Sequence, residues 1–189
     1  KRKNNAQKYY SNIVSQGVNG FDVCSCMFSI HYFFKSEDTL NAYLNNVSTL
    51  LKNGGTFFCT FMDGKRIEDA ILENGGDMVE GRKNTNTINS VPIWAIIRRY
   101  DKDVIDKYNK KIDVFIESTN KFIPEYLVSY DLLIEKCKEY SLELVESELF
   151  SEYFNKLKSQ IPEDDNDKES IDKIIIELDK DEVQKKFSF

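Results

Sequence analysis

The chain has 189 residues, of which 41% are hydrophobic and 13% aromatic. That length suits one domain with a sizeable core, and the composition excludes wholesale disorder and collagen-like architecture. No apolar run reaches the roughly 20 residues needed to cross a bilayer, so the sequence predicts a protein that acts inside the cell without a membrane segment.

Charge is divided unevenly along the chain, whose formal net charge is −6. Residues 1–121 contain 17 basic and 14 acidic side chains, whereas residues 122–189 contain 9 and 18. A protein that grips a long phosphate backbone non-specifically is expected to be basic overall. We therefore expect any nucleic-acid contact to be local, and we interpret the acidic second part as a solvated surface.

The four cysteines, at positions 24, 26, 59 and 137, form no C-x-x-C pair. Cys24 and Cys26 lie two apart in an apolar run, which places both on the same side of a strand. His31 is the single histidine, so a Cys/His zinc site is poorly supplied and no metal site is predicted. The pattern is typical of reduced, structural thiols in an intracellular protein.

A strand–helix–strand unit is predicted after a weakly helical first twenty residues. Phe21–Ile30 is a nearly continuous apolar run, typical of a strand buried on both faces of a parallel sheet. Ser36 is a predicted N-cap for a helix with apolar residues at helical spacing. Asn53-Gly54-Gly55 is expected to end that helix, and Thr56–Phe61 is the next predicted strand.

The rest of the chain alternates between predicted helices and strands, and a polar, glycine-containing loop follows the first of these helices. A segment that opens at Ile123 is expected to become a helix, and the alternation that follows this helix indicates a strand. These elements are a helix at about Lys65–Leu72, antiparallel strands Pro92–Tyr100 and Ile112–Glu117, a helix ending near Tyr140, a strand Ser141–Leu149, and helices at about 151–160 and 168–185.

Together these elements predict an α/β protein with a parallel core and an inserted antiparallel hairpin. Open sheets of this kind bind ligands beyond the carboxyl ends of their strands, so the candidate ligand-binding residues follow Phe28 and Phe61. The chain contains neither G-x-G-x-x-G nor a Walker loop. Dehydrogenase and nucleoside triphosphatase functions therefore lack the phosphate-binding loop that they need.

Two segments carry a family resemblance. Phe21–Phe34 (FDVCSCMFSIHYFF) is a strand that ends in an aromatic residue and leads, three residues on, to a His-Tyr pair. Ile123–Val128 (IPEYLV) follows the pattern hydrophobic-Pro-Glu-aromatic-Leu-Val. Both resemble segments of mRNA cap guanine-N7 methyltransferases, over roughly residues 21–64 and 122–150. The Met62-Asp63-Gly64 end of the second strand is more similar to large-virus capping enzymes than to cellular ones.

The resemblance implies a class I, Rossmann-like S-adenosylmethionine-dependent methyltransferase sheet with the inserted hairpin, truncated at its N-terminus. The family's glycine-rich loop and its two acidic ligands for ribose and adenine have no counterpart in this sequence. Residues 1–189 are therefore expected to be the C-terminal part of a single cap methyltransferase domain, with the glycine loop upstream. Alone, this part is expected to be inactive.

The activity implied is transfer of a methyl group from S-adenosyl-L-methionine to guanine N7 of the mRNA 5′ cap. By resemblance, His31 and Glu125 bind the cap guanine, and Met27, Phe28 and Tyr32 lie beside the methyl donor. Guanine N7 loses no proton when it is methylated, so we expect no residue to act as an acid or base, only to position the substrates.

The implied partners are the capped mRNA 5′ end and either a small activating subunit or other capping domains, with no membrane and no DNA. The implied location is the cytoplasm, that of the host for a viral enzyme. Two interpretations stay open for four cations of the hairpin: they contact RNA or cap phosphates, or they form an ordinary charged surface. These cations are Arg98, Arg99, Lys110 and Lys111.

Two other functions stay open at this stage. One is a class I methyltransferase for a small molecule, which would have no reason for the Pro-Glu segment. The other is a catalytically inactive methyltransferase-like subunit that binds and stimulates an active partner. A D/E-x-G-x-G-x-G segment upstream of Lys1 would favour the enzyme over the inactive subunit.

Overall fold

A parallel strand–helix–strand unit forms the first part of the fold. The computed structural model describes residues 17–82 and 92–160, and within them β1 (Phe21–Met27), α1 (Glu37–Leu50) and β2 (Leu51–Thr60) follow one another. β1 and β2 pair in parallel along their length, up to Met27 opposite Thr60. The predicted unit and the α/β class are thereby confirmed.

Helix α1 begins where its sequence predicts. The Ser36 side chain accepts from the Thr39 N–H, and the Thr39 side chain accepts in return from the Ser36 N–H, which completes a capping box. The helix ends at Leu50, however, and not at Asn53-Gly54-Gly55. That tripeptide lies inside β2, where the register slips between Phe21 and Val23, so it forms an irregularity of the strand and not a helix stop.

The second sheet is antiparallel and has four strands in the order β3-β4-β5-β6. Its strands are β3 (Met78–Arg82), β4 (Pro92–Arg98), β5 (Lys111–Ile116) and β6 (Lys121–Tyr126). The predicted hairpin is confirmed as β4–β5, but β3 and β6 extend it on both sides. The predicted polar loop that follows Gly81 falls on residues 83–91, outside the described residues, whereas Ile123–Tyr126 lies in a strand and does not open the following helix as predicted. Pro124 is tolerated there because β6 is an edge strand.

The described residues contain four further helical segments. A 3-10 helix covers Ile30–Lys35, and the predicted helices are confirmed as α2 (Gly64–Glu73), α3 (Tyr130–Glu139) and α4 (Phe150–Gln160). In the described part of the chain, no helix is long and apolar enough to span a membrane.

Two apolar cores meet at one dipeptide. Leu127 belongs to the core formed by α2 and the antiparallel sheet, whereas Val128 belongs to the core around α1 and the 3-10 helix. The Gly64 N–H donates to the Val128 carbonyl at 3.0 Å, and Asp63 forms a parallel bridge with Val128. The segment after β6 thus joins the two sheets.

Two strand predictions were wrong. β1 stops at Met27, and several of its apolar side chains are exposed, because among the described residues it pairs along one edge only, with β2. Ser141–Leu149 is irregular, and Val145 is 96% exposed. Its alternating pattern has no partner strand among the described residues, and a strand without one leaves its backbone unpaired. The predicted 168–185 helix and the weak pattern before Gly17 lie outside the described residues.

Candidate functional site

His31 lies just beyond the carboxyl end of β1. The chain turns at Phe28, whose φ is +48° and whose N–H donates to the Thr60 carbonyl at 2.9 Å. Ile30 and Phe34 are fully buried on either side of the histidine and anchor the 3-10 helix to the core. These anchors hold the His31 ring in a buried position at the end of the parallel sheet.

Glu125 approaches from the antiparallel sheet. It lies on β6 opposite Ile112 of β5, just before the Leu127–Val128 junction. Its side chain is only 12% exposed, which is unusual for a glutamate. The structure therefore brings together the two residues that the sequence analysis assigned to the guanine, from different sheets.

The facing atoms of this pair are close but not bonded. His31 Nε2 lies 3.6 Å from Glu125 Oε2, which is too long for a normal hydrogen bond. Each of these two atoms is buried and has no hydrogen-bond partner among the described residues. Buried polar atoms in folded proteins are nearly always paired, so two unpaired polar atoms side by side indicate a place for a ligand.

Burial also shifts the ionisation of both groups. It raises the pKa of Glu125 to about 7 and lowers the pKa of His31 below its usual 6.5. In each case the cause is the loss of water around the charged form. Near neutral pH the imidazole is therefore uncharged and the carboxyl group titrates.

Three half-exposed apolar side chains surround the carboxyl end of β1. The Tyr32 ring lies 4.2 Å from the His31 ring, between centroids, and Phe28 stacks on Phe150 at 5.8 Å. Met27 is about half exposed next to Thr60. A nucleoside and a sulfonium group both suit such a surface, so these side chains fit one wall of a site for S-adenosylmethionine.

The hairpin cations are mostly engaged in ion pairs. Arg98 contacts Asp77 at 3.1 Å, and Arg99 contacts Asp113 at 2.7 Å, which favours a structural role for both arginines. Lys111 is exposed at the start of β5. Lys111 lies opposite Tyr126 in the sheet, and the Lys110 carbonyl accepts from the Leu127 N–H. These two lysines therefore lie beside the segment that follows Glu125.

The sequence analysis missed a polar cluster beside α2. Glu68 accepts from the Tyr100 hydroxyl at 2.9 Å and from the Lys110 ammonium at 2.8 Å. Lys110 and Glu68 also border a cavity of about 370 Å³, together with Ser129 and Tyr130, and neither His31 nor Glu125 lines it. No local signal could reveal this cluster, because its contacts join residues far apart in the sequence.

The comparisons with known proteins agree with one another. A family model described as the mRNA (guanine-N(7))-methyltransferase domain matches residues 4–185. The mRNA cap guanine-N(7) methyltransferase of Meyerozyma guilliermondii is 34% identical over 145 residues, which cover 73% of this chain and 24% of that protein. The probable mRNA-capping enzyme of Acanthamoeba polyphaga mimivirus is 32% identical over 149 residues, which cover 75% and 12%.

The aligned residues cover most of this chain but only a small part of each relative. The chain spans a quarter or less of the length of each of these two relatives.

A solved structure of an S-adenosylmethionine-dependent methyltransferase from Clostridium acetobutylicum has a TM-score of 0.39 at 16% identity, and the match covers 69% of this chain and 55% of that one.

Proposed function

This chain belongs to the mRNA (guanine-N(7))-methyltransferase domain family, and we propose that it forms the C-terminal part of a domain that methylates guanine N7 of the mRNA 5′ cap. The observation that carries the proposal is the convergence of His31 and Glu125, two buried side chains whose facing atoms have no partner in the described structure. The names of the relatives, a mimivirus capping enzyme among them, support the same substrate.

Guanine has an edge that suits Glu125. Its N1–H and its exocyclic N2 amine are two donors side by side, and one carboxylate can accept from both. Adenine has no such pair of donors, so a buried carboxylate favours guanine over adenine. His31 lies beside the carboxylate and can contact the same base.

Methylation at N7 requires these residues only to position the base. N7 has an exposed lone pair and loses no proton, so neither His31 nor Glu125 has to act as a base on the reacting atom. As the methyl group is transferred, positive charge develops on the purine, and the Glu125 carboxylate at its edge stabilises that charge. The methyl group is supplied by S-adenosylmethionine, which Met27, Phe28 and Tyr32 would hold along the carboxyl end of β1.

The proposal includes the partners and the setting of the enzyme. Its substrate is the capped 5′ end of an mRNA, and its neighbours are other capping domains or a small activating subunit. Its place of action is inside the cell, in the cytoplasm for a viral enzyme. Residues 1–189 alone are expected to be inactive, because the described residues supply only one wall of the site around β1.

Cap methylation by the intact protein that contains this chain tests the proposal. Replacing Glu125→Gln should lower kcat/KM for a capped RNA about ten- to a hundredfold, because the amide has one acceptor oxygen and no charge for two donors. The affinity for S-adenosylmethionine should stay nearly the same. Glu117→Gln removes an exposed carboxylate at the end of β5 and serves as the control. Methylation by the Glu125→Gln enzyme within twofold of the parent would contradict the proposal.

A further inference from the structure

We propose that His31 acts on the cap guanine through Glu125: in the free site Glu125 is a carboxylic acid that donates its proton to His31 Nε2, and guanine binding expels that proton. This inference rests on the proposed function and deepens it, because it makes His31 a positioning residue for the carboxyl group. In the step itself the O–H bond of Glu125 breaks and the proton passes to the solvent. The carboxylate that remains accepts from N1–H and N2–H of the base.

The distance between the two side chains favours a shared proton. A gap of 3.6 Å closes to a hydrogen bond with a small side-chain movement, whereas a bridging water would need the two atoms about 4.5–5.5 Å apart. Neither facing atom has another partner among the described residues. A carboxylic acid that donates to the lone pair of Nε2 pairs both atoms without any charge. An ionised carboxylate that accepts from Nε2–H would also pair them, but at the cost of a buried negative charge with no cation beside it.

The neighbouring elements offer Glu125 little compensation for a negative charge. Opposite it on β5 lies the apolar Ile112, and the residues before and after Ile112 point to the other face of the sheet. His31 is the titratable group that faces Glu125 from the 3-10 helix. Three ion pairs join charged groups on or next to β3, β4, β5 and α2 to one another and not to Glu125: Arg98 with Asp77, Arg99 with Asp113, and Lys110 with Glu68. Burial accordingly raises the pKa of Glu125 to about 7.

Proton release on cap binding is the direct consequence. We expect the affinity of the intact protein for the cap analogue GpppG to fall about tenfold from pH 8 to pH 6, since the ionised fraction of such a carboxyl group falls about tenfold. GpppG has no terminal phosphate that would titrate in this range. Calorimetry in two buffers of different ionisation heat should count close to one proton released per GpppG at pH 6 and few at pH 8.

Two variants separate this role from a structural one. Glu125→Gln should bind GpppG weakly, with the same affinity at both pH values and no proton release. His31→Gln cannot take up a proton, and its amide N–H can donate to the ionised carboxylate, so the midpoint of the pH profile should move to lower pH. A histidine with a merely structural role would lower the affinity equally at both pH values. Glu117→Gln is the control and should keep the parent profile.

The outcomes are distinct. An affinity of the parent protein that does not change between pH 6 and pH 8, or an unchanged midpoint in His31→Gln, would overturn the shared proton and leave the proposed function standing. No binding of GpppG at pH 8 would contradict the proposed function itself. The proton count on the parent protein needs no variant, so a count near zero at pH 6 would overturn the proposal even where His31→Gln does not fold.

Discussion

His31 Nε2 and Glu125 Oε2 lie 3.6 Å apart although His31 follows the parallel sheet and Glu125 belongs to the antiparallel one. The site therefore depends on how the two sheets are joined, and that junction is the Leu127–Val128 segment directly after Glu125. Because a buried carboxyl group without a compensating cation is unfavourable, the site is also expected to reduce stability.

The Glu125→Gln substitution is expected to stabilise the free protein at pH 8. The pKa of Glu125 is about 7 when folded, against about 4.5 when unfolded, so the folded state binds more protons between these values. Stability contributed by the protonated carboxyl group is present below pH 4.5 and is lost as the pH rises through 7. The amide has no such loss and should add about 1–3 kcal/mol at pH 8, a range already reduced for partial solvent screening.

Urea unfolding of the parent and Glu125→Gln proteins at pH 5 and pH 8 measures this difference. The gain should be large at pH 8 and small at pH 5. An equal effect at the two pH values would show that the folded carboxyl group titrates as it does in the unfolded chain.

The His31 ring is expected to titrate below pH 6.5 in the folded protein. Burial lowers its pKa, so the uncharged ring is favoured on folding and the folded state loses stability as the pH falls through this range. Since His31 is the only histidine in the chain, its ring protons give one NMR signal set to follow. A midpoint at or above 6.5 would indicate an ion pair with Glu125 and would contradict the carboxylic acid inferred for the free site.

The four cysteines are expected to be reduced and slow to react. All four are unpaired in the structure, and burial raises the pKa of Cys59 to about 12 and that of Cys137 to about 11. The thiolate is the reactive form, so a thiol reagent at pH 8 should react slowly with the folded protein. Denaturation without a reductant should then release four thiols. A count of two would indicate a disulfide, and stoichiometric zinc would indicate a metal site.

Local signals in the sequence predicted the start and the buried face of helix α1 well. The Ser36 cap and the apolar stripe of α1 act over a few residues, and the structure reproduces both. The strand predicted at Ser141–Leu149 was wrong for the opposite reason. A strand forms only when it pairs with another segment, and that partner cannot be identified from the strand's own sequence. The site residues came from the family resemblance, because no local pattern shows that His31 and Glu125 meet.

Strand β3 was not predicted, and its glycine shows why. Gly81 lies in β3 opposite Trp94 of β4, although glycine is uncommon inside strands. A Cβ atom at Gly81 would lie 2.2 Å from the indole nitrogen of Trp94, so a larger residue there would require the indole ring to move. Such a requirement comes from the neighbouring strand and is invisible in the residues around Gly81.

Gly64→Ala is expected to destabilise the junction between the two sheets. A Cβ atom at Gly64 would lie 2.5 Å from the Val128 carbonyl oxygen, which is backbone and cannot rotate away. The same carbonyl accepts the Gly64 N–H at 3.0 Å, so the start of α2 and the segment after β6 would have to separate. We expect a loss of about 1–3 kcal/mol in the free energy of unfolding.

The same substitution should weaken the site at a distance. Val128 is only three residues beyond Glu125 on the segment that must move, so the spacing between His31 and Glu125 should change with it. Urea unfolding gives the stability, and GpppG affinity of the intact protein at pH 8 gives the effect on the site. Gly17→Ala is the matched control, because among the described residues its Cβ would meet only the Phe21 ring, at 3.3 Å, and a side chain can shift. It should change stability by less than about 0.5 kcal/mol. Equal stabilities for the two alanine variants would show that the Gly64–Val128 contact does not hold the sheets together.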